Sequence, residues 1–358
     1  IYQTSTFVQE SPGVHTGYEY GRTGNPTRTA LQENLAALEN AKHGVCFASG
    51  CAATSAVLQL LAPGDEVVSC DDVYGGTFRL FDKVFKPYGI ATKYVDMGNL
   101  DLVESAITAK TKVIWIETPT NPLLKLIDIK KVAAIAKAKN IWVVVDNTFA
   151  SPYLQQPLDL GATMVLHSST KYIGGHSDVI GGAILLNDDE LHTRLCFLQN
   201  ALGGVPAPLD CFLLQRSTKT LAVRMEAHCR NAKIVAEAMN AMPLFEKVIY
   251  PGLPSHPNFE LAKSQMRLPG GMISAVIKGG ITPSRKFLES LQLFSLAESL
   301  GGVESLVEHP AIMTHASIPK EIREQIGISD GLIRFSVGIE DVEDLLEDIS
   351  RAATMASK

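Results

Sequence analysis

Short apolar runs alternate with amphipathic stretches over most of the chain. Residues 45–48, 66–70, 113–116, 142–145, 164–166 and 183–186 are compact runs rich in Val, Ile, Leu and Ala. Runs of this kind predict strands covered on both faces, which is the condition of a parallel sheet. The segment 128–140 shows what lies between them. Ile129, Val132, Ala133 and Ala136 fall on one side, four lysines fall largely on the other, and Asp128 can cap the start. Strands joined by such helices predict an α/β fold, a mostly parallel sheet sandwiched by helices.

The ends of the chain break this rhythm. Residues 1–24 are rich in Ser, Thr, Gly and Tyr without a sustained period, and they read as an arm. Asn25-Pro26 then reads as an N-cap and first helical residue, followed by Leu31, Leu35 and Leu38 on one helix face. A long helical pattern over 220–242 looks like the link to a second unit. After it come a strand over 272–278, a helix over 285–291, a strand over 332–337 and a closing acidic helix. The expected organisation is an arm (1–24), a large domain (25–222) and a smaller C-terminal α+β domain (223–358).

Composition narrows the class. Apolar residues make up 46% and charged residues 20% of the 358, the balance of a globular protein. A net charge of −6 offers no basic excess for nucleic acid or anionic membrane. No apolar run reaches membrane-spanning length, and the opening IYQTSTFVQE lacks the basic start and apolar core of a signal peptide. The six cysteines are scattered, with no C-x-x-C pair and no His at ligand spacing. That usage predicts a reduced, cytoplasmic protein without a structural metal.

Two strand ends carry the chemistry. The run WVVVD ends in Asp146, and MVLHSSTK leads to Lys171 behind Ser168, Ser169 and Thr170. Ligands of open α/β sheets bind at the carboxyl edge. A lysine there can form an imine with an aldehyde cofactor, and an aspartate can hold a pyridine nitrogen protonated. Either residue alone reads equally as a strand-end acid or a surface lysine; the ordered pair points to pyridoxal 5′-phosphate (PLP). The turn Ser49-Gly50-Cys51 opens a helix whose N-terminus can receive a phosphate. Ser168 and Thr170 offer hydroxyls to the same anion, or make ordinary strand-end hydrogen bonds.

The segments YEYGRTGNPT, FASGCAAT, DDVYGGT, IETPTNP, VVDNTF, HSSTKYIGGHSD, YPGLPSHP, AESLGGVESL and IRFSVGIE resemble, in order, the Cys/Met-metabolism PLP enzymes. The resemblance covers nearly the whole chain. It implies PLP fold type I, with a mostly parallel seven-stranded sheet, helices on both faces and a smaller C-terminal domain. By the same resemblance Lys171 holds the cofactor and Asp146 faces its ring nitrogen. Gly50, Cys51, Ser168 and Thr170 bind its phosphate, and Tyr74 stacks on its ring. Tyr20 and Arg22 reach the phosphate site of a neighbouring subunit, so a dimer is the smallest competent unit, and the resemblance implies a homotetramer of two such dimers. Arg334 and Asn121 receive the substrate carboxylate, with Ser299 shaping that pocket. Relatives of this family carry a longer N-terminal arm, so further residues are expected ahead of Ile1.

The family divides by reaction. Methionine γ-lyases carry Cys where this chain has Gly76, which argues against that activity. Glu298 and Glu19 resemble acids of cystathionine γ-lyases, positioned to meet the distal amino group of cystathionine. Read structurally, Glu19 is a solvated charge and Glu298 a salt-bridged acid. The reading that follows is γ-elimination of cystathionine to cysteine, 2-oxobutanoate and ammonia. Lys171 would move protons at Cα and Cβ, and Tyr74 would serve as acid for sulfur, its pKa lowered by cations including Arg22. Cystathionine γ-synthase is the alternative, since it shares nearly every residue named. A non-catalytic relative would be expected to lack Lys171, Asp146 or Tyr74, and all three are present.

Overall fold

The computed structural model describes residues 1–314 and 320–358. Seven strands form the main sheet: β1 (His43–Phe47), β2 (Glu66–Cys70), β3 (Ala91–Val95), β4 (Thr111–Glu117), β5 (Trp142–Asp146), β6 (Met164–Ser168) and β7 (Gly182–Leu186). Their order is β1-β7-β6-β5-β4-β2-β3. Pairs from β3 through β6 are parallel, and β7 runs antiparallel to both β6 and β1. The apolar runs supplied six of these strands. The seventh, β3, is the edge strand ATKYV; it is half-buried at best and carries a lysine, so no apolar run marks it.

The expected starts and caps hold. Asn25 Oδ1 accepts the N–H groups of Thr27 (2.9 Å) and Arg28 (3.3 Å) at the head of helix Pro26–Leu38, and Leu31 and Leu35 are buried. Asp128 Oδ1 accepts the Lys131 N–H at 3.0 Å and caps helix Ile129–Ala138. The main-sheet core contains Val67, Val113, Val144 and Trp115, all fully buried.

A second sheet holds β8 (Phe245–Ile249), β9 (Met272–Ile277), β10 (Ser295–Leu296), β11 (Leu306–Glu308) and β12 (Leu332–Ser336), in the order β10-β11-β12-β9-β8. The long helix Leu221–Ala241 joins the two halves. Leu221, Met225 and Cys229 pack with Leu124, Phe149 and Tyr172, while Ala232, Val235 and Met239 pack under the second sheet. The expected division at residue 222 therefore falls in the first turn of this helix. The helix expected over 285–291 begins earlier, as Ile281–Ser290. Among the described residues no helix is long and apolar enough to cross a membrane.

Candidate active site

Parallel strands bring their carboxyl ends to one edge. β4 ends in Glu117 and β5 in Asp146, and these two residues are register partners. β6 ends in Ser168, three residues before Lys171. Helix Gly50–Leu58 starts at the same edge, with the Ser49 hydroxyl accepting the Ala52 N–H at 3.0 Å. Gly50 is required there: a Cβ would lie 2.9 Å from Ser168 Cβ. The free N–H groups of that helix start, with the Ser168 and Thr170 side chains beside them, form an anion cradle.

These elements bound a cleft of about 310 Å³. Eleven of the residues singled out from the sequence line it: Gly50, Cys51, Tyr74, Asn121, Asp146, Ser168, Thr170, Lys171, Glu298, Ser299 and Arg334. Glu19, Tyr20 and Arg22 do not line it. Glu19 is exposed on the arm, and Arg22 donates through Nη1 to the Asn200 carbonyl (2.5 Å) and Oδ1 (2.9 Å).

Lys171 is largely withdrawn from water and donates to Ser299 Oγ at 2.7 Å. Burial, with the Arg334 charge, brings its pKa down to about 8 against the opposing pull of Glu308 and Glu298. Ser299 sits at φ +87°, an uncommon state for a residue other than glycine, and its carbonyl accepts from Arg334. Asp146 is buried, and burial raises its pKa while two hydrogen bonds from Thr148 oppose this. Both bonds, from the Thr148 N–H (3.0 Å) and hydroxyl (2.5 Å), fall on Oδ1. Among the described residues none reaches Oδ2.

Arg334 is held on three sides. Nη1 donates to Asn121 Oδ1 (2.7 Å) and pairs with Glu308 (2.9 Å), and Nη2 donates to the Ser299 carbonyl (2.9 Å). Nε has no partner among the described residues. A guanidinium has five N–H donors, so Nε and one Nη2 hydrogen remain uncommitted, a pair suited to a carboxylate.

Within one chain burial raises the Tyr74 pKa, aided by Cys51, Glu298 and Glu117, and Arg79 is the cation that opposes this. The group is a stable donor, which suits an acid better than a base. Its ring covers Gly76, where a Cβ would run into it. Residues missed in the sequence also appear. Glu117 lines the cleft and accepts the Tyr74 N–H at 2.9 Å; the strand IWIE, ending in an acid as WVVVD does, carried that signal. Thr148 bonds both Asp146 and the Ser168 N–H (2.9 Å). Glu308 had no local signal, because β11–β12 pairing brings it to Arg334.

A lysine of depressed pKa, a buried aspartate with one free oxygen and a glycine cradle at a helix start fit an aldehyde-bearing pyridine phosphate. Residues 1–354 match the family described as Cys/Met metabolism PLP-dependent enzyme, and the chain belongs to it. PLP is its cofactor and the protein is an enzyme. The chain is similar to the cystathionine gamma-lyase of Dictyostelium discoideum, 56% identical over 350 residues, covering 98% of this chain and 90% of that one. It is also similar to the cystathionine beta-lyase of Coxiella burnetii, 54% identical over 354 residues, covering 98% and 92%. The solved cystathionine gamma synthase of Xanthomonas oryzae pv. oryzae, in complex with aminoacrylate and cysteine, superposes with TM-score 0.97 at 45% identity, covering 99% and 92%. These relatives share C–S chemistry and differ in reaction.

Proposed function

We propose that this enzyme is a cystathionine γ-lyase, releasing cysteine, 2-oxobutanoate and ammonia from cystathionine. The observation that carries the reading is one cleft lined by Lys171, Arg334 and Glu298 together. Arg334 offers Nε and Nη2 to the α-carboxylate, and Glu298 offers an anion to the distal ammonium. A substrate with a carboxylate at one end and an ammonium beyond the sulfur fits both.

PLP, when bound, supplies an electron sink next to the substrate amine. Lys171 would hold it, Asp146 would meet its ring nitrogen, and the Gly50 turn with Ser168 and Thr170 would take its phosphate. Asn121 and Ser299 orient Arg334. With a pKa of about 8, Lys171 is neutral often enough near neutral pH to accept the Cα proton and return one to the carbon skeleton. Cleavage at Cγ also requires a proton to leave Cβ, and the same amine serves both carbons. Tyr74, protonated, gives its O–H proton to the leaving sulfur.

Tyr20 and Arg22 lie on the arm, outside their own chain's cleft, and would complete the phosphate site of a second copy. A dimer is then the smallest competent unit, with two dimers forming a tetramer. An arm (1–24), a large domain (25–222) and a smaller domain (223–358) in a cytoplasmic setting complete the reading.

The nearest alternative is γ-synthase, which shares these residues and joins an activated homoserine ester to cysteine. Thiol release from cystathionine should greatly exceed cystathionine formation from O-succinylhomoserine and cysteine. Faster synthesis than cleavage would overturn the assignment.

A further inference from the structure

Three carboxyls crowd the strand ends beside Tyr74. Asp72, Glu117 and Asp146 are 1%, 4% and 8% exposed. Glu117 and Asp146 are register partners on adjacent parallel strands, about 4.8 Å apart at the backbone. Buried like charges at that spacing cannot all ionise cheaply, so one member takes a proton.

Hydrogen bonding indicates which. Asp146 accepts two donors from Thr148 on one oxygen. Asp72 accepts the Thr120 hydroxyl and the Leu123 N–H (3.1 Å). Glu117 accepts only the Tyr74 N–H, on Oε2, among the described residues. Donors stabilise the charged form, so the acid with fewest donors is the one that stays neutral. We propose that Glu117 is a protonated carboxylic acid that positions Tyr74 through its backbone N–H and leaves the negative charge of the pair on Asp146.

The surrounding charges agree. Burial, Asp146 and Asp72 all push the Glu117 pKa up. Arg334 pulls it down, yet that cation is already paired with Glu308. Burial and the nearby Glu117 push the Cys70 thiol up, so it stays neutral and adds no further negative charge. A neutral Glu117 has a use here. It anchors the Tyr74 segment without adding a second charge beside the group that faces the cofactor. It is a positioning residue, and the inference rests on the reading of Tyr74 and Asp146 as cofactor contacts.

The test compares wild-type holoenzyme with Glu117→Gln and Glu117→Leu at neutral pH. Infrared difference spectra should show a protonated-carboxyl C=O band in wild type that is missing from Glu117→Gln. Glutamine keeps an acceptor for the Tyr74 N–H, so the PLP dissociation constant and kcat/KM should stay within about threefold of wild type, under 1 kcal/mol. Leucine leaves that N–H unbonded, and kcat/KM should fall by about tenfold or more while PLP affinity changes less. Two results would overturn the proposal: no band lost in Glu117→Gln, or a Gln variant as impaired as the Leu variant. If Glu117→Leu fails to fold, the band and the Gln kinetics still decide. The infrared result does not depend on substrate, so a protein that keeps the band yet cleaves no cystathionine would sink the proposed function and leave this inference standing.

Discussion

Replacing Arg334 by lysine probes the substrate end of the cleft. The positive charge stays, so buried Glu308 keeps a counter-ion. What disappears is the planar edge of Nε and Nη2, along with the rigid fork that also holds Asn121 and the Ser299 carbonyl. A hydrogen bond to a charged group contributes about 1.5–3 kcal/mol, and losing one with part of the orientation should cost about 2–4 kcal/mol. At tenfold per 1.4 kcal/mol this is roughly a 30- to 700-fold fall in kcat/KM, carried mainly by KM. Steady-state cleavage of cystathionine reads the effect, while cofactor absorbance and thermal melting show that PLP and the fold are retained. A KM within about threefold of wild type, or a loss explained entirely by missing cofactor, would refute the carboxylate role.

Lys171→Ala should leave PLP bound only non-covalently, so borohydride no longer fixes it to the chain, and kcat should fall roughly 10³-fold or more; normal turnover would remove Lys171 from the chemistry. Because the depressed Lys171 pKa makes the amine neutral above about 8, kcat should climb with pH below that value and level off above it. A pH-rate profile flat between pH 6 and about 9 would contradict this. Gly50→Ala should weaken PLP binding by roughly tenfold, since the new Cβ meets Ser168 Cβ at 2.9 Å and overpacking costs about 1–3 kcal/mol; equilibrium titration of the apoenzyme measures it.

Much of this site was legible because its residues sit where short-range patterns end. Asp146 and Lys171 each follow an apolar run, and Gly50 sits between a run and a helix start, so strand ends alone placed them on one edge. Glu117 obeyed the same rule and was passed over, since an acid ending one strand gains meaning only beside the acid ending the next. Glu308 lay beyond sequence reasoning. Antiparallel pairing of β11 and β12 brings it to Arg334, and register is a long-range property. The expected action of Arg22 on Tyr74 belongs to a neighbouring subunit's arm, and within one chain Arg22 bonds Asn200. β3 went unseen because an edge strand buries little and needs no apolar run.

The mass of the keto acid released from cystathionine bears most directly on what this cleft does. Cleavage at Cγ–S leaves a four-carbon skeleton, and cleavage at Cβ–S leaves three carbons. Purified holoenzyme given L-cystathionine alone should yield 2-oxobutanoate and cysteine in equal amounts. Pyruvate and homocysteine as the main products would contradict the γ-lyase reading and assign the same residues to β-elimination.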